Sequence, residues 1–88
     1  ILMKVGVAGS VESNDILITV QESNELVIEI TSIVDAFFHD QIEKVIKDTL
    51  KEFNIKNIKV TCQDKGALDY TIKARLVTAL TRMEESNA

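Results

Sequence analysis

Apolar residues in this chain recur with a spacing of two, then of three to four, then of two again, and this switching constrains the fold more than any other feature. Residues 15–21, DILITVQ, put Ile16, Ile18 and Val20 on one face and Leu17, Thr19 and Gln21 on the other, the alternation of a half-buried strand. Residues 26–31 repeat it with Leu26, Ile28 and Ile30 inward and Glu29 and Thr31 outward. The polar link Glu22-Ser23-Asn24-Glu25 between them has the length of a hairpin loop, which predicts an antiparallel first pair. Ser32 followed three residues later by Asp35 has the form of a capping box. From there Phe38, Ile42, Val45, Ile46, Thr49 and Phe53 recur at helical spacing, with charged residues opposite. Glu43 and Lys47 stand in the favourable i,i+4 order, and Asn54 suits a left-handed helix terminator.

Residues 57–63 alternate again, with Ile58, Val60 and Cys62 inward. The segment after them reads two ways. Leu68, Tyr70, Ile72 and Ala74 alternate as in a strand, whereas Leu68, Ile72, Leu76, Ala79, Leu80 and Met83 make a helical stripe. Asp64-Lys65-Gly66 suits the bulged mouth of a hairpin, which favours a strand to about residue 75 and a short helix to about residue 84. The expected fold is α+β in the order ββαββα, a two-layer sandwich of a four-stranded, mostly antiparallel sheet with helices on one face.

Eighty-eight residues suffice for one core, expected over residues 3–84, with 85–88 as a tail. Met3 reads as a native start, and Ile1 and Leu2 as a remnant preceding it. No apolar run approaches the roughly 18 residues that cross a bilayer, which leads to the expectation of a cytoplasmic protein. The net charge of −4 argues against nucleic acid or an anionic membrane as a partner. Its distribution is uneven: residues 1–43 carry −7 and residues 44–88 carry +3. That asymmetry reads either as a solvated surface or as an acidic face steering toward a basic partner.

Catalytic signals are weak. His39 is the one histidine and lacks ligand-type spacing with Asp35, Asp40 or Glu43, so it reads as a solvated helix residue and no metal is expected. Cys62 alternates inward and reads as a small core hydrophobe. Gly6-Val7-Ala8-Gly9 falls short of a dinucleotide fingerprint in spacing and in the helix that should follow. The segment Ala8-Gly9-Ser10-Val11-Glu12-Ser13-Asn14-Asp15 concentrates small and turn-favouring residues, as an exposed loop would. It either turns the chain into the strand or presents a primary hydroxyl to a modifying enzyme.

That segment resembles the A-G-[TS]-x-E-S-x-D sequence of the citrate lyase acyl carrier protein family, the gamma subunit of that complex. A second block, Asp64-Lys65-Gly66-Ala67-Leu68-Asp69 with Ile72, Ala74, Arg75 and Leu76 after it, is similar to the family's D-K-G-A-L-D segment and its continuation. The resemblance runs from Met3 to Met83. Departures are small: Asn14 stands where Ser or Gly is common, Ser10 where Thr is common, and Tyr70 where Cys is often found.

The resemblance implies that Ser13 is joined by a phosphodiester to 2'-(5''-phosphoribosyl)-3'-dephospho-CoA, with Ser10 as a minor rival. It implies that the alpha subunit exchanges acetyl for citryl on the thiol of this group and that the beta subunit cleaves citryl to oxaloacetate. The carrier itself catalyses neither step. Its implied partners are these two subunits and the enzyme that attaches the group. The carrier of malonate decarboxylase uses the same group, and the Asp64–Asp69 block matches the citrate lyase pattern better. A ligand-sensing or structural α+β domain is the competing class and would be indifferent to Ser13→Ala. A small cysteine or histidine enzyme is a third, and requires Cys62 or His39 to be exposed with a shifted pKa. On the carrier reading, Glu12 and Asp15 suit docking onto basic surfaces, and reversing their charge is expected to leave the melting temperature alone.

Overall fold

The structure, a computed structural model, describes residues 3–33 and 36–86. Among them run β1 (Val5–Gly9), β2 (Ile16–Gln21), β3 (Leu26–Ser32), α1 (Ala36–Glu52), β4 (Ile58–Asp64) and α2 (Asp69–Glu85). The class is α+β with a four-stranded sheet and two helices, but the order is βββαβα instead of ββαββα. In space the strands run β1-β2-β4-β3. The β1–β2 and β2–β4 pairs are antiparallel and the β3–β4 pair is parallel, so the sheet is mixed where a mostly antiparallel one was expected.

The expected hairpin between residues 15–21 and 26–31 does not form, because β4 lies between the two strands. Burial explains the choice. Ile58, Val60 and Cys62 of β4 and Ile16, Ile18 and Val20 of β2 are almost wholly removed from water, while no residue of β3 is fully buried. Setting side by side at the centre the two strands whose inward faces are fully buried removes more surface from water than a local hairpin with β3. The parallel β3–β4 pair then needs a crossover, and α1 supplies it.

The strand expected over residues 67–75 is the first part of α2. Ile72, Leu76, Ala79, Leu80 and Met83 form its buried face, whereas the strand alternation would have buried Tyr70, which is 73% exposed. Gly66 has the positive φ (92°) that the turn needs, but the turn leads into a helix. The fourth strand is β1, whose sequence VGVAG carries too much glycine to register as a strand. Gly6 has a structural reason. A Cβ there would overlap the Ala79 carbonyl oxygen, so only glycine lets β1 pack this closely under α2.

In α1, Ile42, Ile46, Thr49 and Leu50 are buried, while Phe38 and Phe53, expected on the same stripe, are about half exposed at its two ends. Asn54 terminates the helix as expected, at φ 56°. The amide of Ile55 donates to Leu50 O and that of Asn54 to Lys51 O, the paired bonds of a Schellman motif. Glu43 and Lys47 pair at 3.0 Å. Asp35 lies outside the described residues, and the hydroxyl of Ser32 donates to Asp64 Oδ2 (2.8 Å) from the end of β3.

Gly6→Ala is expected to cost about 1–3 kcal/mol through overpacking between β1 and α2. Urea unfolding of the two proteins measures it, and an unchanged midpoint would contradict the close approach.

Candidate functional site

The two sequence blocks that stood out, 8–15 and 64–69, meet at one end of the sheet. In the β2–β4 ladder Ile16 pairs with Asp64, and the pairing continues past the strand ends. The amide of Asn14 donates to Lys65 O (2.8 Å) and the amide of Lys65 donates to Asp15 O (2.9 Å). These two bonds clasp the 10–15 segment to the turn that opens α2. Fifty residues of chain separate the partners, so no local pattern announces the clasp.

Asp15 makes the second anchor. Its carboxylate accepts from Arg75 Nε (3.0 Å) and Nη2 (3.1 Å), from the Ser10 hydroxyl (2.7 Å) and from the Ile16 amide (2.7 Å). The Arg75 fork, then the Ser10 and Ile16 donors, hold this carboxyl down at about 2, against an ordinary 3.8. Asp64 makes the third. Buried at the end of β4, its carboxylate accepts the Ser32 hydroxyl (2.8 Å) and the amides of Gly66 (3.1 Å) and Ala67 (3.0 Å). It thereby sets the shape of the turn that presents Lys65 to the clasp.

Between these anchors the amide of Asp15 donates to Glu12 O (3.1 Å), closing a four-residue turn over Glu12-Ser13-Asn14-Asp15. Asn14 carries the positive φ (66°) that this turn requires and that asparagine tolerates. Ser13 stands at the tip, exposed, and its hydroxyl bonds to none of the described residues. Ser10 is different. Its oxygen donates to Asp15 and accepts the Glu12 amide (3.3 Å), so it is part of the scaffold. The segment expected to be an exposed loop is short and tied down, and Ala8, expected within it, is a buried residue of β1.

Neither His39 nor Cys62 joins this site. His39 is partly exposed on α1, with Nδ1 3.9 Å from Asp40 Oδ1, and among the described residues no three side chains of ligand type gather. Cys62 is buried, and desolvation, with a smaller push from the Asp64 charge, raises its thiol to about 12. No helix is long and apolar enough to cross a membrane among the described residues.

The chain is 50% identical over 76 residues to the citrate lyase acyl carrier protein of Halothermothrix orenii, covering 85% of this chain and 81% of that protein. It is 50% identical over 82 residues to the one from Oenococcus oeni, covering 92% and 84%. The chain belongs to the citrate lyase acyl carrier protein family. A relative carrying the same description in Fusobacterium nucleatum is 45% identical over 99% of this chain and 95% of its own length. The family model described as "Malonate decarboxylase delta subunit (MdcD)" matches residues 3–83, so the acyl carriers of two complexes share this domain. The fold recurs in a chain of the crystal structure of a Pseudomonas malonate decarboxylase hetero-tetramer in complex with malonate. The TM-score is 0.67 at 15% identity, over 92% of this chain and 81% of that one.

Three outcomes follow from this geometry. Because the folded carboxyl of Asp15 titrates below its unfolded value, its contribution is fully present above about pH 4 and is lost as the pH falls toward about 2. Asp15→Asn should therefore lower stability at neutral pH and flatten the acid limb between those values, read from urea midpoints across pH. The melting temperature will not survive reversal at Asp15, contrary to the sequence-based expectation, whereas reversal at exposed Glu12 should leave it unchanged. Cys62 should resist thiol reagents in the native protein and react at the rate of unfolding; prompt labelling at pH 8 would show that the thiol is exposed.

Proposed function

We propose that this chain is the carrier subunit of a citrate lyase complex, with residues 3–84 as one acyl-carrier domain and Ser13 as the attachment point of its prosthetic group. The observation that carries the site is the pinned turn. Ser13 alone of the two candidate hydroxyls is exposed and unengaged by the described residues, while Ser10 is bonded into the support beneath it. A bulky phosphodiester at this tip displaces no buried group and breaks none of the bonds that hold the turn, so the residues present fit such a group.

The group that the family resemblance implies is 2'-(5''-phosphoribosyl)-3'-dephospho-CoA. When bound, it supplies a thiol that carries acetyl or citryl as a thioester on a long arm. The chain's own residues position the arm's root. Arg75 holds Asp15, Asp15 holds Ser10 and the β2 entry, and the Lys65 peptide holds Asn14 on the other flank. On this reading the chain carries the acyl group and does not itself catalyse. Exchange and cleavage of the acyl group fall to the alpha and beta subunits, and attachment to a separate transferase. Two sites then share one tethered substrate at high effective concentration.

The malonate decarboxylase reading has the family description and the structural neighbour in its favour, and assigns the same carrier role to Ser13. Relatives of 43–50% identity described as citrate lyase carriers favour the first reading.

Intact mass and peptide mapping of the protein, purified from cells that also make its attachment enzymes, test the proposal. The expected result is one adduct of the mass of the phosphoribosyl dephospho-CoA group on the peptide containing Ser13, abolished by Ser13→Ala and retained by Ser10→Ala. An adduct on Ser10 would move the site, and an unmodified chain would overturn the carrier reading.

A further inference from the structure

At the end of the sheet opposite Ser13 lies a groove of about 530 Å³ between the start of β3 and the C-terminal half of α1. Leu26, Leu50 and Ile55 line it with apolar surface, and Lys47, Lys51 and Lys56 surround it. Lys47 is paired with Glu43 at 3.0 Å. Among the described residues, neither Lys51 nor Lys56 meets a carboxylate within 4.0 Å. Two unpaired cations beside one apolar groove are a local reversal in a chain of net charge −4. The register fixes the separation. Leu26 pairs with Ile58 at one end of β4 and Ser32 with Asp64 at the other, so the groove and the Ser13 turn stand about 20 Å apart at roughly 3.3 Å per residue.

We propose that this groove docks an acidic segment, carrying an apolar anchor, of a large subunit of the complex that the chain serves. The inference rests on the carrier reading. A leucine- or phenylalanine-type side chain of the segment covers Leu26 and Ile55, and flanking carboxylates reach Lys51 and Lys56. Complementary charge sets register and speeds encounter, and the apolar anchor limits release. Glu25, next to Leu26, keeps the segment's carboxylates on the α1 side of the groove. Docking at this end keeps the domain in the complex while the Ser13 turn stays open to one active site and then another.

The test is a titration of the chain, in its unmodified and its Ser13-modified forms, against the separately purified large subunits of citrate lyase from the same organism, at low and high salt. Lys51→Glu/Lys56→Glu should weaken binding roughly tenfold or more and remove most of its salt dependence. Leu26→Asn, which leaves the charge unchanged, should weaken it at both salt concentrations. Lys44→Glu/Lys73→Glu makes the same change in net charge away from the groove and should bind as the parent does. Attachment at Ser13 should proceed in all of these proteins. Parent-like binding by the groove variants, an equal loss in the control, or self-association of the chain through the same lysines in sedimentation would each overturn the proposal. An unmodified Ser13 would instead overturn the carrier reading, so the two failures are separable.

Discussion

The insertion of β4 between β2 and β3 is the constraint on which the rest of this structure depends. By pairing antiparallel with β2, it carries its own end, Asp64, to the start of β2, where the 10–15 segment begins to turn. By pairing parallel with β3, it brings Ser32 onto the Asp64 carboxylate. Without that central strand Lys65 would have no reason to meet Asn14 and Asp15, and the turn that displays Ser13 would lose one of its flanks.

The anchors around Ser13 are redundant in kind. One flank is held by backbone pairing, which resists changes of side chain, and the other by a forked arginine–carboxylate pair, which is directional. On the proposed carrier reading, attachment at Ser13 would benefit from both, since a modifying enzyme must find the same hydroxyl each time and an arm must swing from a root that does not move. The segment is short and tied down where its small residues suggest an open loop.

The two ends of the sheet divide the remaining work. One end carries the short pinned turn, in which Asp15 pairs with Arg75 and holds Ser10. The other carries Lys51 and Lys56, which no carboxylate among the described residues meets within 4.0 Å, beside apolar surface. The strand length sets the distance between them. The carrier function and the proposed docking thus draw on different residues of one small core.

The sequence by itself determined the α+β class, the span of α1 with its Asn54 terminator, the inward sets of β2 and β4, and the two blocks by which the family is recognised. Each is written in local periodicity or in a short run of residues, which a chain read in order can show. Only the tertiary structure decided which strands are neighbours, since ladder pairing depends on comparing burial across the whole chain and not on the length of one loop. It decided that Gly6 belongs to a strand, because the reason for that glycine is the helix backbone of Ala79, more than seventy residues away. It decided that residues 69–75 are helical, because the apolar face of α2 had a sheet to cover while Tyr70 had none. And it separated Ser13 from Ser10: both are small hydroxyl residues in the same short segment, and they differ in whether a distant arginine has drawn the neighbouring carboxylate, and with it the hydroxyl, into the scaffold.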